Sequence, residues 1–445
     1  MWANPRQASS QILDNLDASY QTIECDVLIV GAGGAGMRAA IEAFDKGSKV
    51  ILVCKSLLGK AHTVMAEGGV AASLGNIDPE DNWKVHFSDT VVEGQYINNW
   101  KMVEIFAKEA PDRVLELERY GALFDRTEKG LIMQRPFGAH SYRRLCYVGD
   151  RTGLELIRTL EDQVLNRNIP YLDETVVSGI IKDKESGAVS GAVAIKIRTG
   201  EILFIKCKAL IIATGGCGKI YSVTSNSWES TGDGIAIAYR AGAEMMDMEM
   251  MQFHPTGMIY PAGVRGMLIT EAVRGEGGTL TNIKGERFME KYDPKRKELS
   301  ARDVVARSIY TEIKEGRGTP NGAVYLDIRH RGAAYIKNKL PSMYYQFLEF
   351  ANIDITKEKM EVAPTVHYHM GGIRVDPETT MTCVPGLYAA GEVASGLHGA
   401  NRLGGNSLSD ILVFGRRAGM AAGDYVKTVG NPTASTEEID KEISR

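Results

Sequence analysis

Several features that define common protein classes are missing from this sequence. Lysine and arginine number 52 against 56 aspartate and glutamate residues, so no basic excess exists to hold a nucleic-acid backbone. No run of 18 or more apolar residues occurs, which argues against a membrane-spanning segment. The first 24 residues lack the apolar stretch of a signal peptide.

The six cysteines are scattered along the chain, with the closest pair ten positions apart. No C-x-x-C spacing exists, so a zinc ribbon, a ferredoxin-type cluster and a thioredoxin-like site are not expected. Single, dispersed cysteines suit a reducing cytoplasm, where most serve as small buried apolar residues.

Glycine, by contrast, is abundant, with 48 of 445 residues against a usual share of about 7%. Apolar residues make up 44% and charged residues 24% of the chain, the balance of a soluble globular protein. The length suffices for two or three domains of about 100–200 residues each. The positions of the glycines therefore give most of the evidence about the fold and the ligand.

A glycine-rich segment at residues 31–36 lies between two short apolar runs. Residues 25–30 read as a buried parallel strand, 37–46 as a helix and 49–54 as a second strand. The glycines fit G-x-G-x-x-G, which permits a tight turn, close approach of a pyrophosphate and close packing of helix on strand. The positive N-terminal end of the helix would face the phosphates. The segment therefore predicts a dinucleotide-binding βαβ unit.

The end of the second predicted strand departs from NAD-binding units. Those units place Asp or Glu there to bind the ribose 2′-hydroxyl. Here Cys54, Lys55 and Ser56 occupy these positions, which weakens an NAD interpretation. Another group must position the nucleotide.

Two further glycine clusters follow predicted strands later in the chain. Residues 209–213 precede Thr-Gly-Gly at 214–216 and T-G-D-G at 231–234, and residues 386–392 precede G-A-N-R-L-G-G-N-S-L at 399–408. Three such turns would let one long ligand lie across the carboxyl edges of a parallel sheet, and FAD has that length.

The pattern also predicts antiparallel strands at 174–182, 188–197 and 200–206, helices at 99–120, 153–166 and 406–428, and an interruption of the α/β pattern at about 250–365.

Six long motifs occur in order along the chain: HTVMAEGGVAASLG (62–75), QFHPTG (252–257), LITEAVRGEGG (268–278), ARD (301–303), PTVHYHMGG (364–372) and GLHGANRLGGNSL (396–408). Together they resemble the flavoprotein subunit of the succinate dehydrogenase and fumarate reductase family, to which L-aspartate oxidase is related. The resemblance implies an α/β fold, with a Rossmann-like FAD-binding domain split in sequence and an inserted α+β capping domain. The implied divisions are an N-terminal arm (1–23), the FAD-binding domain (24–249 and 367–430), the capping domain (250–366) and a C-terminal tail (431–445).

In this family the histidine of H-T-V-x-A-E/Q-G-G carries FAD covalently, so the resemblance implies that His62 tethers the flavin. A tether would replace the missing ribose carboxylate and would raise the flavin potential, as succinate oxidation requires. Helix capping is an open alternative role for Asp233. The implied FAD-binding residues are Gly31, Ala32, Gly33, Gly34, Ala35, Gly36, Cys54, Lys55, Ser56, His62, Thr63, Ala66, Gly68, Gly69, Asp233, Glu392, Ser407 and Leu408.

The predicted substrate is a four-carbon dicarboxylate, succinate or fumarate. Binding a dianion needs cations and hydrogen-bond donors that converge from different segments. By resemblance, Arg402 and His367 hold one carboxylate, and His254 and Thr270 hold the other. Phe137 resembles the aromatic wall of the family's site.

The resemblance further implies that Arg302 exchanges a proton with the substrate while the flavin exchanges hydride. Arginine normally stays protonated, so this role needs a buried cationic pocket with a relay behind it. Glu271 and Arg274 would supply the relay, and Asp303 would orient Arg302. A surface salt-bridge group is the alternative interpretation of these four residues.

The chain lacks cysteines for an iron–sulfur cluster, so electrons are expected to pass to another protein. By resemblance that partner is an iron–sulfur subunit on a membrane anchor, which places the chain in the cytoplasm, peripheral to the membrane. The family chain continues past G-R-R-A-G (415–419) into a helical domain, whereas about 25 residues follow here. We expect that this domain is absent, is a separate subunit, or is missing because the sequence is a fragment.

Two other functions stay open at this stage. A soluble relative, such as L-aspartate oxidase or a stand-alone fumarate reductase, would use oxygen or a soluble donor. His62 argues against aspartate oxidase, which lacks a histidine at this position. A non-catalytic flavin-binding fragment is the other possibility, against which the intact His254, Arg302, His367 and Arg402 argue.

Overall fold

The computed structural model describes residues 20–445. Up to residue 249 it contains β1 (Gln21–Glu24), β2 (Val27–Val30), α1 (Gly34–Asp45), β3 (Val50–Val53), β4 (Val70–Ala71), α2 (Trp83–Glu93), α3 (Trp100–Arg119), β5 (Gln134–Arg135), β6 (Leu145–Cys146), α4 (Thr152–Asn166), β7 (Tyr171–Leu172), β8 (Thr175–Lys182), β9 (Val189–Lys196), β10 (Ile202–Lys206), β11 (Ala209–Ile212), α5 (Asp233–Ala241) and β12 (Met245–Met246). The remaining elements are β13 (Met251–Met258), α6 (Ala272–Gly275), β14 (Thr279–Thr281), α7 (Met289–Tyr292), α8 (Arg302–Glu312), β15 (Val324–Asp327), α9 (Ala333–Lys339), α10 (Pro341–Ala351), β16 (Met360–His369), β17 (Gly372–Ile373), β18 (Leu387–Ala389), α11 (Asn406–Tyr425) and α12 (Thr436–Ile443).

A five-stranded parallel sheet, in the order β18-β11-β2-β3-β7, forms the centre of the FAD-binding part. All four residues of β2 are buried, as expected for a strand covered on both faces. The predicted βαβ unit is confirmed. Helix α1 begins at Gly34 rather than at residue 37, because the second half of the glycine motif forms its first turn.

Helices α1 and α11 pack closely along a stripe of small residues. Gly415 and Gly419 lie four residues apart on α11, against Ala35 and Ala39 of α1. A side chain at either glycine would collide with the carbonyl oxygen of the facing alanine. The absence of side chains therefore lets the two helix backbones meet directly.

The segment between β13 and β16 has a sheet and a core of its own. The strands run antiparallel in the order β13-β16-β15-β14. Their apolar residues, including Leu326 and Val362, pack with Val305 and Ile309 of α8 in one buried cluster. Strand β16 continues across residue 366, where the sequence placed a domain boundary.

A third sheet, in the order β1-β10-β9-β8, lies beside the first. The three predicted antiparallel strands are confirmed, and β1 adds to β10 in parallel. The predicted arm (1–23) is therefore wrong for its last residues, while residues 1–19 lie outside the described part of the chain. The predicted tail (431–445) contains α12, which packs through Ile439 on the outer face of this sheet. Between residues 20 and 445, no helix has the length and apolar character needed to cross a membrane.

The third glycine of the G-x-G-x-x-G motif tests the packing of α1 on the sheet. A Cβ at Gly36 would overlap the carbonyl oxygen of Gly31. We expect Gly36→Ala to lower the free energy of unfolding by about 3 kcal/mol, because backbone must move to accept the methyl group. Urea denaturation measures the loss. Gly430→Ala is the control, since no atom lies within 4 Å of its new Cβ, and an equal effect there would contradict the packing argument.

Candidate active site

One long cleft runs along the carboxyl edge of the parallel sheet. Three helices, α1, α5 and α11, begin at this cleft. Each has glycine at its N-cap, namely Gly33, Gly232 and Gly405, and none of the three receives a side-chain cap. The first-turn backbone N–H groups of α1 and α5 therefore have no side-chain cap and can bind acceptors in the cleft, which suits the anionic pyrophosphate and polar groups of a dinucleotide. In α11 the N–H groups of Asn406 and Leu408 already bond the carbonyls of Leu403 and Gly405.

All predicted cofactor residues except Gly36 line this cleft. Gly36 lies behind the turn, where its role is packing. The Lys55 ammonium, at the end of β3, contacts the Asp233 carboxylate at 2.6 Å and the Thr231 hydroxyl at 2.7 Å. Asp233 is the first residue of α5, and Gly232 is its N-cap, so the helix-capping alternative for Asp233 is wrong.

His62 lies in a short 3₁₀ turn at the wall of the cleft. Its Nδ1 accepts a hydrogen bond from the backbone N–H of Ser227 at 3.3 Å. Burial, with Arg402 nearby, lowers the pKa of His62 to about 4. The imidazole is therefore neutral at pH 7, the form in which a ring nitrogen is nucleophilic.

The five predicted substrate residues, together with Arg302 and Glu271, line the same cleft. Two guanidinium groups converge there on one acceptor, the Oε1 atom of Gln252. Arg302 Nη1 lies 3.2 Å from this oxygen and Arg402 Nη2 lies 3.0 Å from it. Arg302 also lies over the Phe137 ring, with 5.8 Å from its guanidinium carbon to the ring centroid.

Glu271 connects the two arginines of the predicted relay. Its carboxylate accepts from Arg302 Nε at 2.9 Å, lies 3.5 Å from Arg274 Nη2, and accepts from the backbone N–H of Gly138 at 2.8 Å. Arg274 also donates to the backbone carbonyl of Glu298. These contacts form a continuous path of buried groups behind Arg302.

Asp303 differs from its predicted role. It was expected to orient Arg302, but its carboxylate instead bonds Arg307 at 2.6 Å and Asn401 at 3.1 Å. Asp303 is the second residue of α8, and its side chain points toward the next turn of the helix and the loop before α11. Glu271 is the carboxylate that contacts Arg302.

Two histidines complete the wall of the substrate region. The rings of His254 and His367 lie 5.2 Å apart, centroid to centroid. His367 Nδ1 lies 2.8 Å from the Ser225 hydroxyl, and His254 Nδ1 contacts the backbone of Thr256. Burial, reinforced by Arg302, lowers the pKa of both histidines well below the usual value, so both are neutral hydrogen-bonding groups at pH 7.

Comparison with known proteins also indicates an FAD-binding protein, and the similarity extends over most of the chain. A family model described as an FAD binding domain matches residues 26–408. One subunit of the fumarate reductase (CoM/CoB) of Methanothermobacter marburgensis is 55% identical over 400 residues, which cover 90% of this chain and 72% of that protein. The succinate dehydrogenase flavoprotein subunit of Coxiella burnetii is 42% identical, over 96% of this chain and 76% of that protein.

Solved structures agree with these relatives. One protein of the Mycobacterium smegmatis Sdh1 complex has a TM-score of 0.84 and 51% identity, over 96% of this chain and 72% of that one. The FrdA protein of an E. coli quinol fumarate reductase has a TM-score of 0.89 and 37% identity, over 95% and 74% respectively. The chain belongs to the family of succinate dehydrogenase and fumarate reductase flavoprotein subunits. It is thus an FAD-dependent oxidoreductase.

The flavoprotein's cleft has the charge of a dianion receptor. Arg274, Arg302, Arg402 and Glu271 are all at most 8% exposed. Burial would raise the pKa of Glu271, but Arg274 and Arg302 outweigh it, and the pKa lies below its usual value. Among these four buried groups, three guanidinium groups and one carboxylate leave an excess of two positive charges.

Two other acidic residues in the flavoprotein's cleft, Glu67 and Glu392, are partly or mostly protonated at pH 7. Burial, with Asp150 nearby, raises the pKa of Glu67 to about 8. Burial also raises the pKa of Glu392 to about 7. Glu67 is therefore mostly protonated at pH 7 and cancels little of the cationic excess, whereas Glu392 is about half protonated and cancels part of it.

Sequence reasoning missed four residues that organise this site. Gln252 bridges the arginine pair, Asn401 bonds Gln252, Ser225 bonds His367, and Glu67 lies beside Thr270. Gln252, Asn401 and Glu67 all lie inside the motifs that carried the family resemblance, close to predicted site residues. Their motif positions were therefore a usable signal, whereas Ser225 offered none.

Arg402 provides a direct test of the dianion site. We expect Arg402→Gln to weaken fumarate binding to the oxidised, FAD-loaded protein about 100-fold, because a buried charged hydrogen bond is lost. Isothermal titration at pH 7 measures this affinity. Arg416→Gln, at a partly exposed arginine of α11 paired with Glu42, is the control and should change the affinity less than twofold. Normal affinity in Arg402→Gln would contradict the assignment.

Proposed function

We propose that this flavoprotein interconverts succinate and fumarate, with Arg302 exchanging a proton with one substrate carbon. The observation that carries the proposal is the convergence of Arg302 and Arg402 on one oxygen, within a cleft lined by FAD-binding residues. Bound FAD supplies the hydride acceptor and donor. The chain's own residues bind the dicarboxylate, exclude water and move the proton.

The substrate carboxylates would be held from two sides. Arg402 and His367 would bind one carboxylate, and His254 and Thr270 the other. Because the histidines are neutral, they donate hydrogen bonds while the charge comes from the arginines. The same positive charge would stabilise the enolate-like carboxylate that forms as hydride is transferred. Phe137 would close the wall beside Arg302.

Arg302 is suited to proton exchange by its position between the cleft and the relay. In fumarate reduction a guanidinium N–H would deliver its proton to the alkene carbon. The path through Glu271 and Arg274 would then return a proton to Arg302. Asp303 would hold Asn401 and the start of α8 in place, one step removed from the chemistry.

Electrons would leave or reach the flavin through a partner protein. Over residues 20–445, no group of three or more His, Cys, Asp or Glu side chains is placed to hold a metal ion. We propose that the partner is an iron–sulfur protein, and that it links the chain indirectly to a membrane anchor on the cytoplasmic side. No nucleic acid is involved.

A second candidate differs in the electron donor and the direction. The M. marburgensis relative is named fumarate reductase (CoM/CoB), and it shares 55% identity with this chain. In this second candidate function the chain would reduce fumarate with electrons from soluble thiols. Turnover with a thiol pair and no quinone partner would favour this candidate.

Replacement of Arg302 tests the proton role. We expect Arg302→Gln to lower kcat for fumarate reduction by about 1,000-fold, because the acid is lost, while FAD stays bound. Turnover with a reduced viologen dye and the flavin absorbance measure the two effects. Arg307→Gln changes an exposed arginine on the same helix and should leave kcat within twofold. Unchanged turnover in Arg302→Gln would end the proton assignment.

Replacement of His62 tests covalent attachment. We propose that His62 holds FAD through a covalent bond, since it is neutral and lies at the cleft wall. Flavin fluorescence should therefore stay with the wild-type band on a denaturing gel and disappear from the band of His62→Ser. The variant should still release FAD after precipitation by acid, which shows that the fold binds it. A wild-type protein that releases all its flavin would contradict the tether.

A further inference from the structure

A line of buried amide groups leads from the arginine pair to the end of α2. Gln252 accepts from both arginines through Oε1, and its Nε2 donates to Asn401 Oδ1 at 2.7 Å and to the Arg402 carbonyl at 2.8 Å. Asn401 Nδ2 then donates to Glu93 Oε1 at 2.7 Å and to Asp303 Oδ1 at 3.1 Å. Glu93, Gln252 and Asn401 are 6%, 2% and 5% exposed.

Only one orientation of the two amides satisfies all these groups. If the Asn401 amide turned over, its N–H groups would face those of Gln252, and its oxygen would face two carboxyl groups. If both amides turned over, the Gln252 N–H groups would face two guanidinium cations. Either arrangement leaves buried donors or acceptors unpaired, which is costly.

The guanidinium donors at one end and the two acceptors at the far end together fix the polarity of the whole line. Asp303 is one of the acceptors, but its carboxylate is shared with Arg307 and its side chain is 30% exposed. Glu93 is the more buried acceptor and makes the shorter bond. Its hydrogen bond directs the Asn401 oxygen toward Gln252, and thereby the Gln252 oxygen toward the arginines.

We infer that Glu93 is a positioning residue, which holds the Arg302–Arg402 pair at its spacing through the oriented amides of Asn401 and Gln252. The inference rests on the proposed function, in which this pair meets the substrate. Two guanidinium groups repel each other, so a fixed acceptor between them is needed to keep them together. No motif in the sequence pointed to Glu93.

The protonation of Glu93 supports this role. Burial, with Asp303 and Glu271 nearby, raises the pKa of Glu93 to about 8 against the opposing effect of Arg302 and Arg296. At pH 7 the carboxyl group is mostly neutral and still accepts through its carbonyl oxygen. As pH rises through about 8, it gains a negative charge near Arg302, which should weaken the attraction of the pair for a dianion.

The test compares Glu93→Leu, which removes the acceptor, with Glu93→Gln, which keeps a neutral acceptor oxygen. The full chain loaded with FAD is titrated with fumarate, and dye-driven fumarate reduction gives kcat and KM. We expect Glu93→Leu to raise both Kd and KM roughly three- to tenfold and to lower kcat by a similar factor. Glu93→Gln should stay within twofold at pH 7. Glu104→Leu, a partly exposed position on α3, is the matched control and should change nothing.

The pH dependence separates positioning from a merely structural role. Between pH 7 and 9 the fumarate Kd should rise less in Glu93→Gln than in the wild type, because the variant lacks the ionisation at residue 93, whereas Glu67, Glu392 and Arg402 titrate in both proteins. Identical pH curves, or Glu93→Gln as impaired as Glu93→Leu, would overturn the inference. So would normal kinetics in a stably folded Glu93→Leu.

A near-isosteric variant covers the case in which Glu93→Leu does not fold. Asn401→Asp removes both N–H donors but keeps the acceptor for Gln252, and it should lose at least as much activity as predicted for Glu93→Leu. Normal activity in Asn401→Asp would reject the inference. A wild type that neither binds nor reduces fumarate would instead reject the proposed function.

Discussion

The site depends on holding like charges together out of water. Arg302 comes from α8, Arg402 from the loop before α11 and Gln252 from β13, so the convergence exists only when three segments are in place. Two unit charges roughly 6 Å apart repel by about 3 kcal/mol at an effective dielectric constant near 20. Glu271 and the amide oxygen of Gln252 offset this repulsion in the absence of a ligand. In the proposed function, a dicarboxylate would replace part of that compensation.

The neutral state of the histidines sharpens this selectivity. His254 and His367 lie beside the arginines and, because of burial, stay uncharged at pH 7. They add directional hydrogen bonds without adding charge, so the cationic excess remains two rather than four. The Ser225 hydroxyl beside His367 Nδ1 gives that ring a hydrogen-bonding partner. In the proposed function, the histidines would therefore select the shape of the substrate and the arginines its charge.

The spacing of residues within short segments made the FAD-binding part of the fold predictable from the sequence. Strand, glycine turn and helix in the first 54 residues follow from apolar periodicity and from the needs of a tight turn, and the motif residues do meet in one cleft. Strand β1 and helix α12 were missed because both are short and polar, and they are stabilised by the sheet they join. The partner of Asp303 was wrong because sequence adjacency to Arg302 says nothing about where a side chain on a helix points. Glu93 could not be assigned, since its role exists only through a contact with Asn401, 308 positions away along the chain. Gln252 lies inside a family motif, but its bridging role depends on contacts with two distant arginines.

The glycine stripe between α1 and α11 has a consequence for how the nucleotide is received. Both helices begin at the cleft, and their backbones meet at Gly415 and Gly419, two positions about one turn apart on α11. Neither N-terminus can move toward or away from the other without opening that contact. The distance between the N-terminal ends of α1 and α11 is therefore fixed. A ligand long enough to reach both helix ends must match this distance. A mononucleotide that contacts one end makes only half of the available contacts.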